Sequence, residues 1–204
     1  MIKLTFLVVS TLCSLMFSLM VYSNTLLIVG DSLSAGYQMR SEQSWPALLP
    51  EELQKQGKKV TVINASISGD TTGNGVARLP ALLNKHQPDY VLIELGANDG
   101  LRGFSPNIVN KNLTKMINNI KKNDARPLLM QIHVPTNYGK RYSQAFAGIY
   151  PTLSEQHKVP LLPFFLEHVI TKPEWMMKDG LHPKAEAQPW IAQFMAQALS
   201  TEIN

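Results

Sequence analysis

The segment Thr25–Gly36, Thr-Leu-Leu-Ile-Val-Gly-Asp-Ser-Leu-Ser-Ala-Gly, decides the fold class of this chain. Its apolar run Leu26–Val29 is too short for a helix and is bounded by Gly30, so it predicts a buried β-strand. Ser32 follows where the first strand of an α/β sheet gives way to a helix. In open parallel sheets this carboxyl edge binds ligands, and a helix N-terminus offers unpaired N–H groups that favour negative charge. Catalysis, anion binding and a simple serine N-cap are all compatible with this turn.

Four further apolar runs repeat the first, and helical segments separate them. The predicted strands that follow the first are Val60–Ile63, Tyr90–Leu95, Leu128–Val134 and Val159–Leu162. Helical spacing of apolar residues predicts the intervening helices over Ser34–Gly57, Val76–Lys85, a segment opened by Pro106, Tyr142–Gln156 and Lys184–Leu199. Connections of this length require parallel strands with right-handed crossovers and helices on both faces. The sequence therefore predicts one α/β domain over residues 24–204, a three-layer α/β/α sandwich with a five-stranded parallel sheet.

The first 23 residues have the composition of a secretory signal peptide. Lys3 supplies one positive charge, Leu4–Tyr22 is almost wholly apolar, and small residues at Val21 and Ser23 suit cleavage before Asn24. An uncleaved N-terminal anchor is the alternative, because the apolar stretch approaches membrane-spanning length. A strand that begins by residue 25 leaves little room for a linker, which favours cleavage. We therefore expect a periplasmic or secreted protein with no stable membrane insertion after cleavage.

Charge and cysteine content exclude several classes of function. The chain of 204 residues has a formal net charge of +4 and no long basic run, so we expect no nucleic-acid partner. Its single cysteine, Cys13, lies in the predicted signal peptide. The mature protein would therefore have neither a disulfide nor a cysteine nucleophile. A chain of this length can bury a sizeable core by itself, and we expect a monomer.

Candidate functional residues follow four of the five predicted strands. Ser32 follows the first strand, Gly69 the second, Asn98 the third, and Asp179 and His182 the fifth. An Asp and a His three residues apart in a turn can lie close enough for the carboxylate to hold the imidazole Nδ1–H. That bond fixes the tautomer whose Nε2 accepts a serine proton. The alternative for Asp-x-x-His alone is an ordinary surface histidine.

Acyl transfer also needs donors directed at a tetrahedral oxyanion. Gly69 can bring a backbone N–H close because it has no side chain, the Asn98 carboxamide can supply a second donor, and the Ser32 N–H a third. Each of these residues also has an ordinary structural explanation in a turn. His133, at the end of the fourth predicted strand, is the rival candidate for the base, but no carboxylate lies close to it in sequence.

Jointly, four ordered blocks resemble the GDSL, or SGNH, hydrolases: Gly30-Asp31-Ser32-Leu33, Gly69, Gly96-Ala97-Asn98-Asp99 and Asp179-Gly180-Leu181-His182-Pro183. The resemblance implies a flavodoxin-like sheet, Ser32 as the nucleophile and His182 as a base oriented by Asp179. It also implies an oxyanion hole made by Ser32, Gly69 and Asn98. The implied activity is hydrolysis of fatty-acyl thioesters and esters, including acyl-CoA, lysophospholipids and aryl esters, without a metal or another cofactor.

Two other functions stay open at this point. One is a carbohydrate acetylesterase of the same family, and the other is a non-enzymatic anion-binding module that uses the same helix N-terminus. The apolar-rich loop Leu101–Phe104 favours lipid acyl chains. With Gly100 and Gly103 as hinges, Leu101 and Phe104 are candidates for a cover that closes over an acyl chain. Alternatively, both side chains pack beneath the next helix.

Overall fold

The protein's structure is a computed structural model that describes residues 23–203. The predicted signal peptide therefore lies outside the described residues, apart from its last residue, Ser23. The described chain contains five strands: β1 (Asn24–Gly30), β2 (Val60–Asn64), β3 (Tyr90–Glu94), β4 (Arg126–Met130) and β5 (Leu161–Leu162). All neighbouring strands are parallel, in the order β2-β1-β3-β4-β5. The predicted five-stranded parallel sheet is confirmed, although β4 and β5 are shorter than predicted.

Nine α-helices accompany the strands in the described part of the chain. They are α1 (Ser32–Ala35), α2 (Trp45–Lys55), α3 (Thr72–His86), α4 (Ala97–Leu101), α5 (Pro106–Lys122), α6 (Lys140–Ala147), α7 (Ile149–His157), α8 (Leu166–Val169) and α9 (Gln188–Ser200). Helix α2 packs against α9, while α3 packs against α5 and α5 against α7. These two groups of helices flank the sheet. The predicted three-layer α/β/α arrangement is therefore confirmed.

Several predicted helices differ from the observed ones at glycines and caps. The segment Ser34–Gly57, predicted to be helical, is interrupted: Gly36 takes a left-handed conformation with a φ of +76° and ends α1, and α2 follows from Trp45. Helix α3 begins four residues earlier than predicted. The Thr71 side chain accepts a hydrogen bond from the Asn74 N–H there, which is the N-cap interaction. The predicted helix Tyr142–Gln156 is two helices that meet at Gly148.

Burial is most complete in the central strands. The β1 residues Leu26 to Val29 and the β3 residues Val91 to Ile93 have no exposed surface. A strand covered by helices on both faces buries successive side chains on opposite sides, which explains its continuous apolar run. Both strands end at the carboxyl edge beside the turns that carry Ser32 and Asn98. Within residues 23–203, no helix combines the length and apolar composition that crossing a bilayer requires.

Candidate active site

The turn between β1 and α1 holds Ser32 in a fixed position. Ser32 is the first residue of α1, and Asp31 is its N-cap. The Asp31 carboxylate accepts a hydrogen bond from the Leu33 N–H at 3.0 Å, which satisfies one of the free donors of the helix N-terminus. Because β1 is an interior strand of the sheet and its last five residues are buried, this turn is attached to a well-packed strand.

A chain of two hydrogen bonds joins the three predicted triad residues. Ser32 Oγ lies 2.9 Å from His182 Nε2, and His182 Nδ1 lies 2.7 Å from Asp179 Oδ2. If Nδ1 carries the proton that the carboxylate accepts, Nε2 is the nitrogen free to accept the serine proton. This arrangement can lower the cost of removing the Ser32 proton during nucleophilic attack.

The loop before α9 fixes the histidine from several directions. Asp179 Oδ1 accepts hydrogen bonds from the Leu181 N–H at 2.9 Å and the His182 N–H at 3.1 Å. Burial tends to raise the pKa of Asp179, but the hydrogen bonds from Leu181 and His182 outweigh it, so that the pKa lies below its ordinary value. Tyr37 stacks on the His182 ring with 4.1 Å between ring centroids. Sequence reasoning missed this tyrosine, whose only signal is its place directly after Gly36.

The proposed oxyanion donors lie on two neighbouring loops. Gly69 has a φ of +86°, a left-handed conformation that favours glycine, and its backbone N–H donates to no protein atom among the described residues. Asn98 is the second residue of α4, and its Nδ2 donates to Asp70 O at 3.0 Å and to Asp31 Oδ2 at 3.2 Å. Both amide hydrogens thus have acceptors, so an oxyanion would share one of them or replace the longer bond.

Buried acids brace the loops behind these donors. Asp99 is buried, and its two carboxylate oxygens accept hydrogen bonds from the Thr72 N–H at 2.8 Å and the Thr72 Oγ at 2.6 Å. These bonds tie α4 to the start of α3. Burial raises the pKa of Asp99, while the bonds from Thr72 oppose that effect. Burial also raises the pKa of Asp31 to about 7, although hydrogen bonds from Leu33 and Asn98 lower it.

Arg78 on α3 connects the loop after β2 to the end of β1, a role that sequence reasoning missed. Its Nε donates to Asp70 Oδ2 at 2.6 Å, its Nη1 to Ala65 O at 2.5 Å and its Nη2 to Gly30 O at 3.3 Å. A planar guanidinium can bind several acceptors in fixed directions, which suits this bridging position. Arg78 therefore holds the loop that contains Gly69 against the end of β1.

An apolar cavity of about 310 Å³ opens beside Ser32 and His182. Its apolar walls are Leu33, Ala97, Leu101, Val134, Pro135, Phe164, Leu166, Ile170 and Leu181, and its polar side chains include Asn98, His133 and Glu167. A cavity with mostly hydrophobic walls and a few polar groups beside a nucleophile is suited to an apolar substrate group. An acyl chain attached to a carbonyl at Ser32 fits this description.

The segment predicted as a hinged cover is partly helical. Gly100 is buried inside α4, where an added Cβ would lie 2.0 Å from Val134 Cγ1, so its interpretation as a hinge was wrong. Leu101 ends α4 and lines the cavity, whereas Phe104 does not line it and is 39% exposed. The Tyr138 hydroxyl donates to Leu101 O at 2.9 Å. This tyrosine, which sequence reasoning also missed, braces the cavity wall from outside.

The side-chain partner of His133 is Glu167 rather than Ser32. Its Nε2 lies 3.4 Å from Glu167 Oε1 at the cavity wall, and both side chains are about half exposed. His133 is therefore paired with Glu167 at the cavity wall, whereas His182 is the histidine bonded to Ser32 Oγ. Across residues 23–203, no group of three or more His, Cys, Asp or Glu side chains is arranged to hold a metal ion.

Comparison with known proteins assigns this site to a family of hydrolases. The model of the GDSL-like lipase/acylhydrolase family matches residues 28–188. An arylesterase of Vibrio mimicus is 68% identical over 177 residues, which cover 87% of this chain and 88% of the relative. The thioesterase 1/protease 1/lysophospholipase L1 of Escherichia coli strain K12 is 55% identical over 182 residues, with 89% of this chain and 86% of the relative covered.

Solved structures show the same architecture. The psychrotrophic esterase EstA of Pseudoalteromonas sp., in a structure inhibited by monoethylphosphonate, superposes with a TM-score of 0.85 at 41% identity. That comparison covers 88% of this chain and 98% of the esterase. A structure of TesA superposes with a TM-score of 0.81 at 45% identity, covering 86% of this chain and 98% of TesA. The layer order and the sheet described above are therefore those of SGNH esterases.

Proposed function

The chain belongs to the GDSL-like lipase/acylhydrolase family and is a hydrolase of ester bonds, and on that premise we propose that it cleaves fatty-acyl esters and thioesters through an acyl-enzyme on Ser32. One observation carries the proposal: the hydrogen-bonded chain from Asp179 through His182 to Ser32 Oγ, with an apolar cavity opening beside it. A nucleophile, a base and an orienting acid within hydrogen-bond distance are the geometric requirement for acyl transfer.

The first half-reaction forms the acyl-enzyme. Ser32 Oγ attacks the acyl carbonyl carbon while its proton moves to His182 Nε2, and Asp179 stabilises the resulting imidazolium. The carbonyl oxygen becomes an oxyanion that accepts hydrogen bonds from the Ser32 and Gly69 N–H groups and from Asn98 Nδ2. Collapse of this intermediate breaks the bond to the alcohol or thiol, which takes the proton from His182 as it leaves.

Water completes the cycle. His182 Nε2 removes a proton from a water molecule, whose oxygen attacks the acyl carbonyl, and a second oxyanion forms in the same place. Its collapse releases the carboxylic acid and returns the proton to Ser32 Oγ. The chemistry at the carbonyl is the same for oxygen esters and thioesters. The substrate class therefore depends on the cavity.

The apolar cavity supports fatty-acyl substrates over acetylated carbohydrates. An acetyl group has one methyl to bury, whereas a chain of several methylenes would contact the walls formed by Leu101, Val134, Phe164 and Ile170. Each buried methylene contributes about 0.8 kcal/mol, so chain length should matter. The names of the relatives, an arylesterase and a thioesterase/lysophospholipase, agree with a hydrolase of esters and thioesters.

Fluorophosphonate labelling tests the nucleophile directly. An activated serine reacts covalently, whereas a site that only binds anions does not. We expect one adduct on the peptide that contains Ser32 and none in Ser32→Ala, which should also lose nearly all turnover. An unlabelled wild type, or a Ser32→Ala variant with a tenth of the wild-type rate, would refute the proposal. A panel of p-nitrophenyl esters of increasing length, acyl-CoA, lysophospholipid and an acetylated sugar then identifies the substrate class.

We also propose that the enzyme is exported and acts as a monomer over residues 24–204. The composition of residues 1–23 supports removal of a signal peptide, and β1 begins at Asn24. Mass spectrometry of the protein recovered from a periplasmic or culture fraction should give an N-terminus at Asn24. Light scattering should give the mass of one chain. An intact N-terminus in the membrane fraction would support the uncleaved anchor instead.

A further inference from the structure

A buried carboxyl group that the mechanism above does not use lies directly behind the nucleophile turn. Glu94 is the last residue of β3, has no exposed surface, and is paired in register with Gly30 of β1. Its Oε2 accepts hydrogen bonds from the Asp31 N–H at 3.3 Å and from Ser34 Oγ at 2.7 Å. One oxygen therefore binds the residue immediately before Ser32 and the residue two positions after it.

The second oxygen of this carboxyl has no partner. Glu94 Oε1 and Ser66 Oγ are both buried atoms without a hydrogen bond. An added Cβ on Gly30 would lie 2.5 Å from Glu94 Oε2 and 2.8 Å from Ser66 Oγ, so the carboxyl and the hydroxyl approach Gly30 from the same side. A buried carboxylate oxygen that accepts no donor is costly, and a proton on Glu94 Oε1 removes the charge that this oxygen would otherwise carry.

Neighbouring charges decide which of two buried acids holds the proton. Asp31 is also fully buried, but each of its oxygens accepts a hydrogen bond, one from the Leu33 N–H and one from Asn98 Nδ2. A carboxylate that accepts donors on both oxygens is stabilised in its ionised form. Glu94 accepts donors on Oε2 alone. Two buried like charges so close together repel strongly, so the proton belongs on Glu94 Oε1.

The surrounding titratable groups do not change this assignment. The groups that face the pair from other elements are Asp70 ahead of α3, Asp99 in α4, Tyr150 in α7 and Arg78 in α3. Asp70 and Asp99 are further acids, and the Tyr150 hydroxyl donates to Leu95 O. Arg78 gives its guanidinium hydrogens to Asp70, Ala65 O and Gly30 O rather than to Glu94. Burial and the nearby Asp31 charge accordingly raise the pKa of Glu94 well above its usual range.

We propose that Glu94 is a positioning residue that works as a neutral acid: Oε2 holds both sides of the nucleophile turn, and Oε1 carries the proton. Asp31 is then the acid of the pair that ionises first, and its Oδ2 holds the Asn98 carboxamide of the oxyanion hole. The neutral carboxyl thus holds the nucleophile turn without placing a second charge behind Ser32. This inference rests on the role of Ser32 proposed above.

The first test measures thermal stability against pH. An unfolded glutamate ionises near pH 4.3, whereas a neutral Glu94 in the folded protein keeps its proton to much higher pH. Unfolding then releases a proton across this window, so the wild type loses stability as the pH rises. Glu94→Gln has no such proton. The Tm of Glu94→Gln minus the Tm of the wild type should therefore become more positive as the pH rises from 4 to 9. A difference that is constant over this range would overturn the proposal.

Glu186→Gln is the matched control for this measurement. It makes the same substitution at an exposed position of the chain and so corrects for the general effect of removing one carboxyl. Infrared difference spectra give an independent reading of the proton. Wild type minus Glu94→Gln at pH 7 should show the C=O stretch of a protonated carboxylic acid. A carboxylate band in its place would overturn the proposal.

Kinetics test the positioning role. Glu94→Leu replaces the carboxyl with an apolar side chain of similar size that offers no acceptor. The Asp31 N–H and Ser34 Oγ then lose their partner, and the turn shifts. Small displacements of reacting groups can cost up to about 100-fold in rate, and we expect kcat to fall about tenfold or more with little change in KM. Glu94→Gln retains a carbonyl acceptor for the Asp31 N–H and Ser34 Oγ, and should recover most of that loss. Glu94→Gln as slow as Glu94→Leu would overturn the proposal.

Different experimental results would refute this proposal and the proposed function. Stability curves and infrared spectra involve no turnover, so they report on Glu94 even if Ser32 is not the nucleophile. Absence of phosphonate labelling at Ser32 would refute the proposed function. A pH-independent Tm difference, with Ser32 labelled normally, would refute the role of Glu94 alone. If Glu94→Leu does not fold, Glu94→Gln still decides the question through its pH dependence.

Discussion

Replacing Asp179 with asparagine should force His182 into the wrong tautomer. Asp179 Oδ1 accepts two backbone N–H groups, those of Leu181 and His182, while Oδ2 faces the imidazole Nδ1. An asparagine must keep its oxygen toward the backbone donors, because its NH₂ group cannot accept them. Its NH₂ then faces Nδ1 and donates to it. The imidazole proton then lies on Nε2, so that Nε2 donates toward Ser32 and can no longer accept the serine proton.

The expected loss follows from this tautomer change. The same substitution in a serine protease triad lowers kcat about 10⁴-fold while leaving the geometry intact. The Asp179 side chain is 38% exposed, so solvent screens part of its charge, and we expect a loss of about 10³–10⁴-fold. At about 1.36 kcal/mol for each factor of ten, this is roughly 4–5 kcal/mol of transition-state stabilisation. KM should change little, because Asp179 is not among the cavity-lining residues.

Steady-state hydrolysis of a p-nitrophenyl ester, together with Tm, measures this effect. Asp124→Asn is a suitable control, because Asp124 lies in an exposed turn with a φ of +58°, a conformation that asparagine tolerates. We expect wild-type kcat in the control and an unchanged Tm in both variants. Asp179→Asn with kcat within tenfold of wild type and an intact fold would refute the tautomer argument.

Three further substitutions test single contacts. Gly30→Ala should lower the free energy of unfolding in a denaturant titration by about 1–3 kcal/mol, because its Cβ would lie 2.5 Å from Glu94 Oε2; unchanged stability would contradict that packing. Asn98→Ala should lower kcat by about 10²–10³-fold with little change in KM, as for loss of one oxyanion donor, and a change confined to KM would make Asn98 a ground-state binding residue. His133→Ala should change kcat less than about tenfold, because its partner is the exposed Glu167, and a loss of several orders of magnitude would make it the base.

The sheet could be predicted from sequence because its central strands are buried on both faces. The continuous apolar run of β1 has no other stable environment in a soluble domain, and the same holds for β3. Helix boundaries were less predictable where one backbone conformation decides them. Gly36 ends α1 after four residues, and an apolar pattern cannot distinguish such a glycine from one that a helix tolerates.

The candidate site likewise contains residues that the sequence predicts and contacts that it does not. Ser32, Gly69, Asn98, Asp179 and His182 could be proposed because they follow strand ends that a parallel sheet brings to one edge. The long-range contacts that fix these five residues have no counterpart in the sequence pattern. Tyr37 reaches His182 across 145 residues of sequence, and Arg78 reaches back from α3 to Gly30. These contacts depend on distances that the fold sets, and spacing along the sequence does not reveal those distances.

The last prediction concerns acyl chain length and separates two apolar side chains of the Leu101–Phe104 segment. Leu101 lines the cavity, whereas Phe104 lies outside its lining. Their backbones have similar anchors, since Leu101 O accepts from Tyr138 and Phe104 O from Tyr142 at 2.9 and 2.8 Å. Serine at either position leaves those bonds in place. The two variants therefore compare a cavity wall with a matched position beside it.

A chain that reaches Leu101 buries methylenes against it, each contributing about 0.8 kcal/mol, or roughly fourfold in kcat/KM. If one or two methylenes depend on this contact, Leu101→Ser should lower kcat/KM for an octanoyl ester by about 4–16-fold. The acetyl ester, which is too short to reach the wall, should be hydrolysed at nearly the wild-type rate. Phe104→Ser should affect both esters alike. Equal losses on both esters for Leu101→Ser, with a lower Tm, would show that Leu101 only packs the core. A loss confined to the octanoyl ester in Phe104→Ser would instead support the predicted cover, because Phe104 would then have to close over the chain once it is bound.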